Sequence, residues 1–148
     1  MIRLATRLDI PVLVEMMQQY AQEAPPKALQ QAEVHDANYV TTLLFQLLVG
    51  RGFIFIDNDN RGFIAAIKTK NIWCPDVIEL RELAWWVHPD HRNKTLGGKL
   101  WLKFDEAAQE LLDDKEVHYV CTTVMANSQM IDYTKRGYKP LEATFYRD

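Results

Sequence analysis

The stretch His88–Leu100, HPDHRNKTLGGKL, concentrates residue types that can hold an anion. A helix starting near Leu96 leaves its first backbone N–H groups without partners, and its dipole places partial positive charge at that end. Gly97 and Gly98 remove side chains where a phosphate would have to approach the backbone. Arg92, Lys94 and the loop amides add donors at the same end. These types at this spacing point to a phosphate or pyrophosphate site built on a helix N-terminus, although they also suit an ordinary polar loop. His88 and His91 stand three apart, but the sequence places no further ligands beside them, so no metal site is expected. Just upstream lie two carboxylates, Glu79 and Glu82. Three apart, they face opposite sides of a regular strand, unless a bulge reverses the parity.

The elements that must position this loop follow from hydrophobic periodicity. Ile2 and Leu4 make a short opening strand. Thr6 and Asp9 have capping-box spacing, or Asp9 is itself the cap of a helix with Pro11 in its first turn. Ile10, Leu13, Val14 and Met17 share one helical face, which Pro25-Pro26 ends. A second helix carries Val40, Leu43, Leu44, Leu47 and Leu48 and stops at Gly50-Arg51-Gly52. Phe53 to Ile56 and Phe63 to Lys70 read as a hairpin around Asp57-Asn58-Asp59-Asn60. Val77 to Val87 is a long strand running directly into the loop. Beyond the loop, Leu96, Leu100, Trp101, Phe104, Ala108, Leu111 and Leu112 share a helical face. Val117 to Met125 reads as a buried strand, Ser128 to Lys135 as a short helix stopped at Gly137, and Tyr138 to Tyr146 as a final strand. The order β-α-α-β-β-β-α-β-α-β is that of an α/β (α+β) domain with a mixed sheet.

The chain's 148 residues suit one domain, over residues 1–148. With 48% hydrophobic and 25% charged residues the composition is that of a globular protein. A net charge of −3 argues against a nucleic-acid partner. No apolar run reaches the roughly 18–20 residues of a membrane span, and the start resembles no signal peptide. Cys74 and Cys121 are far apart in sequence and read as reduced thiols of a cytoplasmic protein.

Three segments together resemble one family. Val87-x-Pro89-x-x-Arg92-x-x-Thr95-x-Gly97 is similar to the acyl-CoA motif of the GCN5-related N-acetyltransferases (GNAT), whose usual form is Val-x-Pro-x-x-Arg/Gln-x-x-Gly-x-Gly/Ala. Asn127, then Tyr133-Thr134-Lys135-Arg136-Gly137-Tyr138, resembles the family's Asn…Tyr-x-x-x-Gly-Phe segment, with Tyr138 for Phe. Ile2 to Thr6 with Asp9-Ile10-Pro11 resembles its first strand and helix. Thr95 departs from the pattern, standing where the family usually has Gly. A β-branched residue is poorly suited there if φ is positive but costs little as an early helical residue, and the early helical position is the preferred reading.

The resemblance implies a mostly antiparallel sheet of six to seven strands flanked by about four helices. It implies acetyl-CoA as co-substrate and transfer of its acetyl group to an amine of a small molecule or protein. The acyl-CoA contacts it implies are Trp85, Val87, Arg92, Asn93, Lys94, Thr95, Gly97, Gly98 and Asn127. A strand amide at or near Val87 would meet the developing oxyanion where the fourth and fifth strands splay apart. Tyr133 corresponds to the family's tyrosine acid, and a base must relieve the ammonium of its proton. Glu82 is preferred over Glu79 because it is nearer the loop, and an ion pair with Arg81, Arg3 or Lys68 is the alternative role for either. Trp85 and Trp86 alternate on the strand, so at least one enters a core face. A non-catalytic acyl-CoA sensor of the same fold is the alternative function. Family members often pair as dimers.

Overall fold

The computed structural model describes residues 1–128 and 131–148. In chain order the elements are β1 (Ile2–Leu4), α1 (Ile10–Gln22), α2 (Lys27–Gln30), α3 (Ala37–Gln46), β2 (Gly52–Asp57), β3 (Gly62–Lys70), β4 (Ile78–Val87), α4 (Leu96–Asp113) and β5 (Tyr119–Cys121). The five strands lie in one sheet in chain order, antiparallel except for the parallel β4–β5 pair.

Two apolar layers sandwich this sheet. β3 is buried on both faces, which is why Phe63–Ile67 reads as an unbroken apolar run. Phe63 and Ala65 join Ile54, Ala84 and Trp86 against Leu13, Met16, Leu44 and Leu47 of the α1/α3 side. Ile64 and Ala66 join Leu80 and Val87 against Leu96, Leu100, Trp101, Phe104 and Ala108, the face of α4 that the periodicity picks out. Thr6 and Asp9 form the capping box, and Asp9 does not cap α1 with its side chain.

The hairpin turn forms where expected. Fully buried Asp57 accepts from Arg61 Nε at 2.7 Å and from the amides of Asp59 and Arg61, while Asn60 takes the positive φ of 57°. At its other end the hairpin needs Gly52: a Cβ there would stand 1.9 Å from the Ala66 carbonyl oxygen. Gly52→Ala should cost about 3 kcal/mol by forcing β2 off β3. Thermal unfolding would show the loss, at about 2–4 °C per kcal/mol for a chain of this size.

Three expectations need correction. Among the described residues the sheet has five strands, not six to seven. The long strand expected over 117–125 pairs only at Tyr119–Cys121, since the chain parts from β4 after the Arg81–Cys121 pair. An outer edge of three residues is too short to template a nine-residue partner. Residues 138–146 accordingly form no strand, leaving Leu141 and Phe145 70% and 91% exposed. The helix expected over 128–135 includes residues 129 and 130, which lie outside the described residues. What is described there is one helical turn, Tyr133–Arg136, ended as expected by Gly137 at φ 85°.

Candidate active site

β4 carries a bulge, and its position decides which side chains share the site. Ala65 pairs with Ala84 but Ala66 with Glu82, leaving Leu83 without a partner on β3. Directly paired residues share a face. Glu82 therefore stands with Ala66 on the α4 face, and beyond the bulge Trp85 stands there with Ile64. Without the bulge, Glu82 would share a face with Ala84 and Trp86 instead. Glu79 lies before the bulge and keeps the opposite face, so the parity of the two carboxylates is not reversed.

The carboxylates consequently have different environments. Glu79 bonds Arg81 Nε at 3.1 Å and accepts from the Tyr119 hydroxyl at 2.5 Å. Burial pushes its carboxyl up, but the bonds from Tyr119 and Arg81 outweigh this and hold it below the usual range. It is ion-paired, as one reading of the sequence expects. Glu82 is only 5% exposed and has no cationic partner among the described residues. Burial raises its carboxyl to about 7, although the Thr122 hydroxyl and the Thr123 amide bond it. Trp101 Nε1 donates to that same Thr122 hydroxyl at 3.2 Å, tying the Glu82 environment to α4. A carboxylate poised near neutrality can take a proton at physiological pH.

Past Arg81 the sheet opens. No backbone hydrogen bond joins residues 82–87 to the chain after Cys121 among the described residues, so β4 and the 122–128 segment part company there. Tyr133 packs on the α4 side of this parting. Its ring packs edge-on against Trp101 at 5.7 Å and Tyr138 at 6.4 Å. Its hydroxyl is buried without a hydrogen-bond partner among the described residues, as is Trp85 Nε1. An unmet buried donor costs about 1–3 kcal/mol, which marks both atoms as places for a ligand or water to bond. Burial, then the charge of Glu82, raises the Tyr133 hydroxyl to about 12, so it holds its proton throughout the neutral range.

The loop behaves as expected in its backbone and differently in its side chains. Thr95 is right-handed, φ −89°, so its β-branch is unstrained, and the positive φ of 61° falls on Asn93. The first amides of α4 project from Leu96, Gly97 and Gly98. A Cβ on Gly98 would meet nothing, and one on Gly97 would only touch Val87 and Trp85 at 3.6–3.7 Å. Neither glycine is demanded by packing or by φ, although glycine in a helix costs about 1 kcal/mol relative to alanine. Arg92 turns away from these amides. Its guanidinium bonds the Val87 carbonyl and both oxygens of Glu23 at 2.7 Å and lies over the Trp86 ring. Lys94 and Thr95 line a separate cleft of about 290 Å³ with Met1, Asp57, Arg61, His91 and Lys99. Asn127 donates to the Glu23 carbonyl, beside the Arg92 clamp. Of the neighbouring pair Trp85 and Trp86, Trp86 is the one in the α1/α3-side core, 4% exposed.

One site residue escaped the sequence reading. Tyr20 of α1 brings its hydroxyl to 3.5 Å from the Leu83 carbonyl at the bulge. Burial, then the Glu82 charge, raises this hydroxyl to about 12. Its sequence position, among polar helix residues, carries no signal of this, because its relation to Glu82 is entirely tertiary.

Comparison with known proteins fits this geometry. The model of the acetyltransferase (GNAT) family matches residues 13–138, and the chain belongs to that family. A GCN5-related N-acetyltransferase from Ralstonia eutropha JMP134 is 18% identical, with a TM-score of 0.71 covering 99% of this chain and 97% of that one. A predicted acetyltransferase from Clostridium acetobutylicum, solved with acetyl-CoA, is 14% identical at a TM-score of 0.69, covering 100% and 95%. An aminoglycoside acetyltransferase from an uncultured soil metagenomic sample is 14% identical at 0.58, covering 100% and 97%. At these identities the likeness is one of fold. No curated protein matches the sequence. No helix among the described residues is long and apolar enough to cross a membrane.

Proposed function

We propose that the protein transfers an acetyl group from acetyl-CoA to a primary amine by direct attack on the thioester. The observation that carries this reading is that a neutral-range carboxylate, Glu82, shares a face of β4 with Trp85, and that Trp85 and Tyr133 pack on one core, each with a buried donor that has no partner among the described residues. The Gly97-Gly98 start of α4 opens beside Trp85 and fits the pyrophosphate through backbone amides. That assigns the phosphate contacts of the loop to its main chain. Arg92 then orients the loop by gripping Glu23 and the Val87 carbonyl.

The roles follow from charge and proton balance. Glu82, directly or through a water, takes a proton from the acceptor ammonium, and the freed nitrogen attacks the thioester carbonyl carbon. A free amide of β4 near Val87 meets the developing oxyanion. As the C–S bond breaks, Tyr133 gives its proton to the CoA thiolate and is reprotonated as the amide nitrogen loses its remaining excess proton. The products are the N-acetylated amine, the free thiol and one proton. Glu79, ion-paired on the other face, takes no part.

Gly98→Ala separates folding from binding. It should stabilise α4 by about 0.5–1 kcal/mol, because alanine is the better helix former and its Cβ meets open space. The same methyl should weaken acetyl-CoA binding, by about 1–3 kcal/mol if the pyrophosphate seats there. Calorimetric titration and thermal unfolding read the two signs, and unchanged affinity in the stabilised variant removes the cradle.

A further inference from the structure

Between α1 and the segment running through α2 to the start of α3 lies a second cleft, of about 300 Å³. Its walls are Val14, Met17, Ala21, Leu29, Val34 and Val40, and Leu29 and Val34 are 43% and 53% exposed there. Among its described lining residues Asp36 is the only acid, and one of that carboxylate's oxygens already accepts from the Tyr39 amide as the α3 cap. Tyr20 also lines the cleft, and its hydroxyl reaches the β4 bulge beside Glu82. One aromatic side chain thus spans from an apolar hollow to the backbone of the β4 bulge, one residue from the proposed base.

Resting on the transferase reading above, we propose that this cleft selects the acceptor, and that the acceptor is a primary amine carried on a small apolar body. The volume, about 300 Å³, lies at the lower limit of small-ligand pockets, roughly 300–1,000 Å³, and suits a small acceptor group. A polyamine or aminoglycoside would bring several ammonium groups to a hollow with a single, half-occupied carboxylate. Their desolvation would go uncompensated. An aryl or branched alkyl group instead buries against the aliphatic walls, leaving its amine at the Tyr20 end.

The test uses 2-phenylethylamine, spermidine and kanamycin as acceptors, with the wild type and two variants, Ala21→Phe to fill the cleft and Leu29→Ser to break its wall. Acetyl-CoA affinity is measured first, by calorimetry. The expected result is a KM for 2-phenylethylamine lower than for either polycation by about tenfold or more, raised by about tenfold or more in both variants with acetyl-CoA affinity unchanged. Preference for spermidine or kanamycin, or an aryl-amine KM indifferent to both substitutions, overturns the assignment. Failure to bind acetyl-CoA overturns the transferase reading and this inference with it. Binding of 2-phenylethylamine that Ala21→Phe abolishes, without acetylation of any amine, keeps the cleft and overturns the transferase reading alone.

Discussion

Glu82→Gln should reduce turnover by about 10²–10⁴-fold, the range expected when one acid–base participant is lost. The isosteric amide can still bond the Thr122 hydroxyl, so the fold should persist. Because burial raises the carboxyl to about 7, wild-type kcat/KM should climb toward pH 7 and level off above it, and the variant should lack that limb. Stability should move the opposite way. A carboxyl raised in the native state binds its proton more tightly folded than unfolded, so stability falls as pH rises from the ordinary carboxyl value of 4.5 to about 7. Glu82→Gln removes that fall and should gain stability at pH 8 relative to pH 5, on the order of 3 kcal/mol. Thermal unfolding at the two pH values checks the sign. A variant that loses activity together with stability would indicate a structural role instead.

The second large effect is at Tyr133. Phenylalanine keeps the ring that packs against Trp101 and Tyr138 and deletes a buried hydroxyl that has no partner. Stability should hold or rise by about 1 kcal/mol, since an unmet polar atom is removed. Acetyl-CoA affinity should stay nearly intact while turnover falls by roughly 10²–10⁴-fold, less if water substitutes as the acid for a thiolate leaving group. Wild-type turnover in the variant would remove Tyr133 from the chemistry. A loss of acetyl-CoA affinity in proportion to activity would make it a binding residue.

What the sequence reveals here is what local spacing encodes. The hairpin over 52–70, the apolar face of α4 and the harmless φ of Thr95 all depend on residues within a turn or two of one another. The bulge is harder to place. The sequence offers it only as a possibility, and its seat at Leu83 depends on how β3 registers against β4; that seat determines that Glu82 rather than Glu79 shares a face with Trp85. The final strand fails for a tertiary reason: nothing in residues 138–146 signals that β5 ends at Cys121 and offers an edge of only three residues. Arg92 illustrates the same limit. Its motif position suggests a phosphate contact, yet Glu23, 69 positions away, claims the guanidinium. Tyr20 enters the site by the same kind of long-range contact.

The central claim is that acetyl-CoA bound beside β4 is attacked by an amine rather than merely held. Thiol release from acetyl-CoA, followed at pH 8 across primary amines with product mass determined, tests it most directly. The expected result is saturable release that depends on the amine, with an N-acetylated product and loss of the signal in Glu82→Gln. Acetyl-CoA that binds tightly but releases no more thiol with any amine than without one would contradict it.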